Sequence, residues 1–259
     1  MLPHYEVHEG HGPPLLMVHG FLSSKTQWQP NLEALKTVSS PVLIELFGHG
    51  RSPAPDTLDC YHPDYYVQCF EEIRQIIGAE QWLLMGYSLG AGLTLRYSLQ
   101  HPDRVIAQMF TNSTSAFADP DISARYRDRA DETIRRFQQQ GMQAVDEIAV
   151  HPRNAKRLPP DLHAALLDDC QRLNPVAVAR TMMHTNGYVS VRDQLHEISR
   201  PTLLLCGQHE QRFLPLRDLA SDKIPALEIS HLNAGHAVNA EDIEGFNDAA
   251  IKFIRRHTA

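Results

Sequence analysis

The sequence is short of the features that would mark several broad classes. It has no surplus of positive charge: Lys plus Arg number 24 against 31 Asp plus Glu, for a formal charge of −7. A nucleic-acid binder needs a cationic surface to displace phosphate counterions, and the overall balance supplies none. No apolar run approaches the ~20 residues needed to cross a bilayer. The opening MLPHYEVHEGHG has no basic region followed by an apolar one, so no secretory signal is expected. Cysteine is scarce. Cys60, Cys69, Cys170 and Cys206 form no CxxC pair and no metal-ligand spacing, and the expectation is free thiols in a reducing, cytoplasmic compartment. Internal repeats and low-complexity stretches are also missing. What remains is 259 residues, 42% hydrophobic and 21% charged, the composition of an ordinary globular protein with a sizeable core.

Residues 1–112 alternate short apolar runs with helical stretches. The runs at 15–18, 42–44, 82–85 and 105–110 are bounded by Gly or Pro and read as buried strands of a parallel sheet. Helices are expected around 31–37, 63–78 and 90–100, with Pro102 ending the third. Near Asn112 the texture changes. From Pro120 to about Ser199 the pattern is helical without a clear strand: 121–140, 141–150, 161–173 and 175–184. A strand returns at 202–206, another is expected at 226–230, and an amphipathic helix at 243–256 closes the chain. The expected architecture is an α/β fold with a mostly parallel sheet flanked by helices. Residues 1–112 and 199–259 would form the core domain, and 113–198 a helical cap over the sheet's edge.

The motif that carries chemistry is Gly86-Tyr87-Ser88-Leu89-Gly90, a G-x-S-x-G placed after a strand and before a helix. Such a turn lifts the serine hydroxyl above the sheet in a strained conformation, and the flanking glycines let strand and helix approach. The Leu89 N–H then lies at a helix start, where it can stabilise an oxyanion. A serine hydroxyl attacks only when a base takes its proton. Of the 15 histidines, His236 follows Gly235 shortly after the last strand, whereas His231 directly follows that strand, where a side chain packs. The base needs a carboxylate to fix its tautomer and stabilise the imidazolium. Glu210, in the loop after 202–206, is best placed. Asp119 is the alternative after the preceding strand, and Asp218 and Asp222 lie further on in a helix. The loop at His19-Gly20-Phe21 would supply a second oxyanion donor, the Phe21 N–H, assisted by a hydroxyl such as Ser23 or Ser24. His19 itself would hold the loop rather than move protons.

With these pieces in order, the chain resembles the α/β-hydrolase superfamily over nearly its whole length. The resemblance rests on His19-Gly20-Phe21, the segment from Glu45 through Gly48, Gly50 and Ser52, the Gly86–Gly90 motif, His101-Pro102-Asp103-Arg104-Val105, Gly207 to Glu210, and Gly235-His236. It departs from the family at Glu45 and Glu210, where aspartate is usual. The resemblance implies the chain order nucleophile, acid, histidine. Within the superfamily it is similar to the capped branch of carboxylesterases, carbon–carbon bond hydrolases and related pyruvate-eliminating lyases. Relatives that open carbon–halogen bonds or epoxides attack with aspartate, and Ser88 argues against both.

The expected function is therefore a serine carboxylesterase acting on small to medium acyl esters, with Ser88 as nucleophile, His236 as base, Glu210 as acid, and the Phe21 and Leu89 N–H groups as oxyanion hole. No cofactor or metal is required, and the expected partner is a small-molecule ester. The sequence leaves oligomeric state open. A carbon–carbon hydrolase or pyruvate-eliminating lyase would need a buried arginine for its substrate's carboxylate. Arg125, Arg127, Arg129, Arg135 and Arg136 share their stretch with Asp121, Asp128, Asp131 and Glu132, which reads as a solvated helix face. A binding protein that kept the fold and lost turnover is the alternative from another class. Phe117, Tyr126, Phe137, Met142, Met182, Met183 and Tyr188 serve equally as acyl pocket or cap core. His4, His8 and His11 fit a solvated N-terminal strand and its turn better than a metal site.

Overall fold

Short segments of three to seven residues, most of them apolar runs and all too short for helices, pair into a seven-stranded sheet among the described residues. In the computed structural model, which describes residues 1–258, the strands are β1 (Tyr5–Val7), β2 (Pro14–Val18), β3 (Ser40–Ile44), β4 (Trp82–Gly86), β5 (Val105–Thr111), β6 (Thr202–Gly207) and β7 (Glu228–Leu232). Their order is β1-β3-β2-β4-β5-β6-β7. Only β1 runs antiparallel, against β3. Central strands read as continuous hydrophobic runs because both faces are covered; every residue of β4 and β6 is buried. The edge strand β7 is only half-buried.

Helices α1 (Gln29–Lys36), α2 (Pro63–Ile76) and α3 (Leu89–Gln100) connect the first four parallel strands. Between β5 and β6 the regular structure is all helical: α4 (Pro120–Asp128), α5 (Ala130–Gln140), α6 (Met142–Asp146), α7 (Pro160–Cys170), α8 (Pro175–Arg180) and α9 (Asn186–Tyr188), with 3₁₀ turns and a π-helical turn at Thr181–Thr185. Then follow α10 (Leu214–Lys223), α11 (Val238–Glu241) and α12 (Ile243–Thr258). One sheet face packs on α1 and α12 through Trp28, Leu35, Phe246 and Phe253; the other packs on α2 and α3 through Phe70, Ile73, Leu93 and Tyr97.

Three expectations shift. The last strand begins at Glu228 rather than 226 because Ala226 adopts a left-handed conformation (φ 54°), which no strand accommodates. His231 consequently lies inside β7, with its side chain exposed. The charged stretch 121–140 is two helices, broken at Arg129, and 141–150 forms only the short α6.

The chain runs outward from β2 to β3 and then back across β2 to β4, so the strand order reverses between β2 and β4. At such a reversal the connecting loops diverge and leave a crevice at the strands' carboxyl ends. The register pairs Val18 with Gly86, which sets the loop from residue 19 beside the turn at residue 88.

Candidate active site

Ser88 is the last residue before α3, with φ 52° and ψ −114°. This is a costly conformation for a residue with a side chain, and it persists because its surroundings allow nothing else. A Cβ on Gly86 would sit 2.5 Å from Ala91 Cα, and one on Gly90 would sit 2.2 Å from the Val18 carbonyl oxygen. Strand, turn and helix are thus in contact at both glycines. The Ser88 N–H donates to Thr111 Oγ1 at the end of β5 (3.1 Å), which ties the turn to the neighbouring strand.

His236 arrives from the loop between β7 and α11. Its Nε2 lies 2.9 Å from Ser88 Oγ, and its Nδ1 lies 2.9 and 3.0 Å from the two oxygens of Glu210. Glu210 is largely buried in the loop after β6. Burial alone would raise its pKa. Hydrogen bonding from His236, attraction to that ring whenever it is protonated, and a hydrogen bond from Asn112 outweigh burial and hold the carboxyl below its ordinary value. An ionised carboxylate only accepts, so Nδ1 carries a proton, and in the neutral ring the Nε2 lone pair faces the serine hydroxyl. The three side chains expected to converge therefore do so, in a geometry that can draw the proton from Ser88.

Asn112, immediately after β5, was not singled out in the sequence. Its Nδ2 donates to Glu210 Oε2 (2.9 Å) and to the Gly207 carbonyl (3.0 Å), and its Oδ1 accepts the Gly207 N–H (3.1 Å). It clamps the end of β6 to that of β5 and holds the extra methylene of glutamate in reach of the imidazole. The only signal was a polar residue directly after an apolar strand. Glu241 was also missed. Its carboxylate accepts the N–H groups of Gly235 (2.7 Å) and Ala237 (3.3 Å), bracketing His236 from both sides.

On the other side of the serine, Gly20 lies against the turn: a Cβ there would be 3.0 Å from Ser88 Cβ. Among the described residues, neither the Phe21 N–H nor the Leu89 N–H meets an acceptor. His19 is fully buried; its Nδ1 donates to the Gly20 carbonyl (2.6 Å), and its Nε2 accepts the Leu46 N–H (3.0 Å). Burial, with the nearby charge of His49, lowers its pKa to about 3. It is a neutral strut for the loop, as expected. The neighbouring hydroxyls are committed elsewhere, contrary to expectation: Ser24 donates to Asp169 (2.5 Å) and Ser23 to Gln27 (3.2 Å).

The rival residues fall away from the cluster. Asp119 is exposed and pairs with Arg192 at 3.1 Å. Asp218 pairs with Arg217, and Asp222 with Lys223, in α10. Arg125, Arg127, Arg129, Arg135 and Arg136 are all exposed. Phe117 and Phe137 are wholly buried core residues; Met142 and Met182, with Phe21, border the core of the helical segment. His4 and His8 both approach Glu6, and among the described residues no three His, Cys, Asp or Glu side chains gather as a metal site. Glu45 closes its own turn, accepting the Arg51 N–H at 2.9 Å.

A family model described as alpha/beta hydrolase fold matches residues 13–242. The chain belongs to the α/β-hydrolase fold family. Among curated relatives of this α/β-hydrolase, a Bacillus subtilis (strain 168) protein with the provisional name 2-succinyl-6-hydroxy-2,4-cyclohexadiene-1-carboxylate synthase is 25% identical over 93% of this chain and 89% of the relative. Carboxylesterase YbfK from the same organism is 24% identical over 93% of this chain and 80% of the relative. Among solved structures, MenH from S. aureus superposes with a TM-score of 0.84 at 18% identity, covering 99% of both chains.

Proposed function

We propose that this α/β-hydrolase is a serine carboxylesterase that works through an acyl-enzyme. Ser88 Oγ attacks the ester carbonyl carbon while its proton passes to His236 Nε2. The carbonyl electron pair moves onto oxygen, where the N–H groups of Phe21 and Leu89 receive it. Glu210 stabilises the imidazolium and keeps the ring oriented. As the intermediate collapses, His236 returns the proton to the leaving alcohol. Water then attacks the acyl carbon, giving its proton to His236, and Ser88 is regenerated when the acid departs. The helical residues 113–198 act as a cap over this site, and the four free cysteines fit a cytoplasmic enzyme. No helix among the described residues is long and apolar enough to cross a membrane.

The observation that carries the reading is the continuous chain Ser88 Oγ, His236 Nε2, His236 Nδ1, Glu210, each link at 2.9 to 3.0 Å. An ester is favoured over a keto acid because Phe21 borders an apolar cluster that includes Ile134, Met142 and Met182, because the five arginines of α4 and α5 and their junction are exposed, and because the largely buried Arg180 of α8 donates to the Pro55 carbonyl and Asp56. The test is labelling with a fluorophosphonate and a panel of acyl esters of graded length. Stoichiometric labelling and turnover that vanish in Ser88→Ala support the proposal; a wild-type protein that neither labels nor turns over any ester refutes it. The second reading is a carbon–carbon hydrolase or pyruvate-eliminating lyase acting on a keto acid. It is favoured by the synthase name of one full-length relative. Turnover of a dienol keto acid without an acyl-enzyme burst on esters would select it.

A further inference from the structure

The loop that bears the Phe21 N–H is not held by the α/β core alone. Leu22, the next residue, has a left-handed backbone (φ 56°), which any residue with a Cβ disfavours. The last turn of α7, in the helical segment, grips the loop at three points. Asp169 Oδ2 accepts the Ser24 hydroxyl at 2.5 Å and the Thr26 hydroxyl at 2.6 Å, and the thiol of Cys170 lies 3.7 Å from the Leu22 carbonyl oxygen. Ser24 Oγ in turn accepts the Thr26 N–H at 3.0 Å. The Leu22 side chain is buried with Phe137, Val145, Cys170 and Val178. Asp169 is itself only 15% exposed, and its other oxygen pairs with Arg172.

We propose that Asp169 is a positioning residue for the reaction: through Ser24 and Thr26 it holds the strained loop so that the Phe21 N–H points at the oxyanion. This rests on the esterase reading above for its catalytic consequence, though the clamp itself does not. A carboxylate serves here because it accepts two hydroxyl protons at once, and hydrogen bonds to an ionised acceptor are the stronger kind. The helical segment thereby completes the site's machinery as well as covering it.

The experiment compares wild type with Asp169→Ala, with the double variant Ser24→Ala/Thr26→Val, and with Asp168→Asn, an exposed neighbour, as control. Loss of one oxyanion donor lowers rates about 10²–10³-fold in well-studied systems, so a donor loosened but not removed should lower kcat about tenfold. KM should stay within about twofold, and affinity for a boronic acid that mimics the tetrahedral intermediate should fall with kcat. Combining Asp169→Ala with the double variant should add little to either alone, since all three changes break one clamp. Hydrogen exchange supplies a readout independent of activity: amides of residues 24–28 should exchange about tenfold faster in both variants, with β4 and α3 unchanged. If Asp169→Ala does not fold, the double variant, which leaves the charge in place, decides. Unchanged exchange in the loop overturns the clamp. Faster exchange with kcat and boronate affinity intact, in a wild type that labels, overturns the catalytic role. A wild type that does not label, yet shows the exchange change, keeps the clamp and refutes the esterase reading.

Discussion

Acid should unfold this protein through two histidines that stand beside the loop bearing Phe21. His19 and His49 are fully buried, with ring centroids 5.5 Å apart. Burial is the main cause that lowers both pKa values, to about 3 for His19 and about 4 for His49, from an ordinary 6.5. The sign follows from proton uptake. Below pH 6.5 the unfolded chain binds protons at both rings while the folded protein does not, so stability is full above 6.5 and is lost as pH falls toward the folded values. Between pH 7 and pH 5 each ring should remove about 2 kcal/mol, or about 4 kcal/mol together. For a chain of this length the unfolding entropy is roughly 0.5 kcal/mol per kelvin, so Tm should drop by about 7 °C from this pair. His49 donates from Nδ1 to the Phe47 carbonyl at 3.0 Å, a contact that a glutamine amide can replace. Scanning calorimetry of wild type and His49→Gln at pH 7, 6 and 5 checks the arithmetic: the variant should lose about half of this pH dependence. Identical dependence in the two proteins would refute it.

Glu210→Gln leaves a neutral amide beside the imidazolium and disturbs the tautomer; kcat should fall about 10³–10⁴-fold with Tm little changed, and full activity in this variant would exclude Glu210 as the acid. Asn112→Ala removes a hydrogen bond that favours ionised Glu210, so that carboxyl's pKa should rise and activity should begin to fail at higher pH as the solution is acidified, read as a shift of the acid limb of kcat/KM. Gly90→Ala would place a methyl 2.2 Å from the Val18 carbonyl oxygen, pushing α3 off β2; a loss of about 3 kcal/mol or more in urea unfolding is expected, with loss of serine labelling.

What was legible in the sequence was what local sterics dictate. The Gly86 and Gly90 spacing is needed because strand, turn and helix touch at those positions, so the motif carries its own structural context. Glu210 could be placed because it follows an apolar run, and His236 because it follows Gly235 a few residues past the strand expected at 226–230. The bend at Arg129 carries no glycine or proline and was invisible, as was the left-handed Ala226 that delays β7. Thr111, Asn112, Glu241 and Asp169 went unnoticed for a different reason. Each acts on a partner fixed by tertiary packing, as Asn112 does on Glu210, 98 positions away, and a polar residue in a loop advertises no such partner.

These unnoticed residues explain how the cluster at Ser88 keeps its shape. The backbone of Ser88 is bound to Thr111, the loop of His236 to Glu241, and Glu210 to Asn112. Each side chain of the Ser88, His236 and Glu210 cluster is thus oriented from behind by a group that does not share the Ser88–His236 hydrogen bond. Removing the serine hydroxyl or the imidazole leaves those restraints in place, so loss of chemistry and loss of fold are separable at this site. The oxyanion side differs. There the proposed restraint comes from Asp169 in α7, through Ser24 and Thr26, so on the esterase reading a change in how α7 sits should reach catalysis through the Phe21 loop before it reaches Ser88.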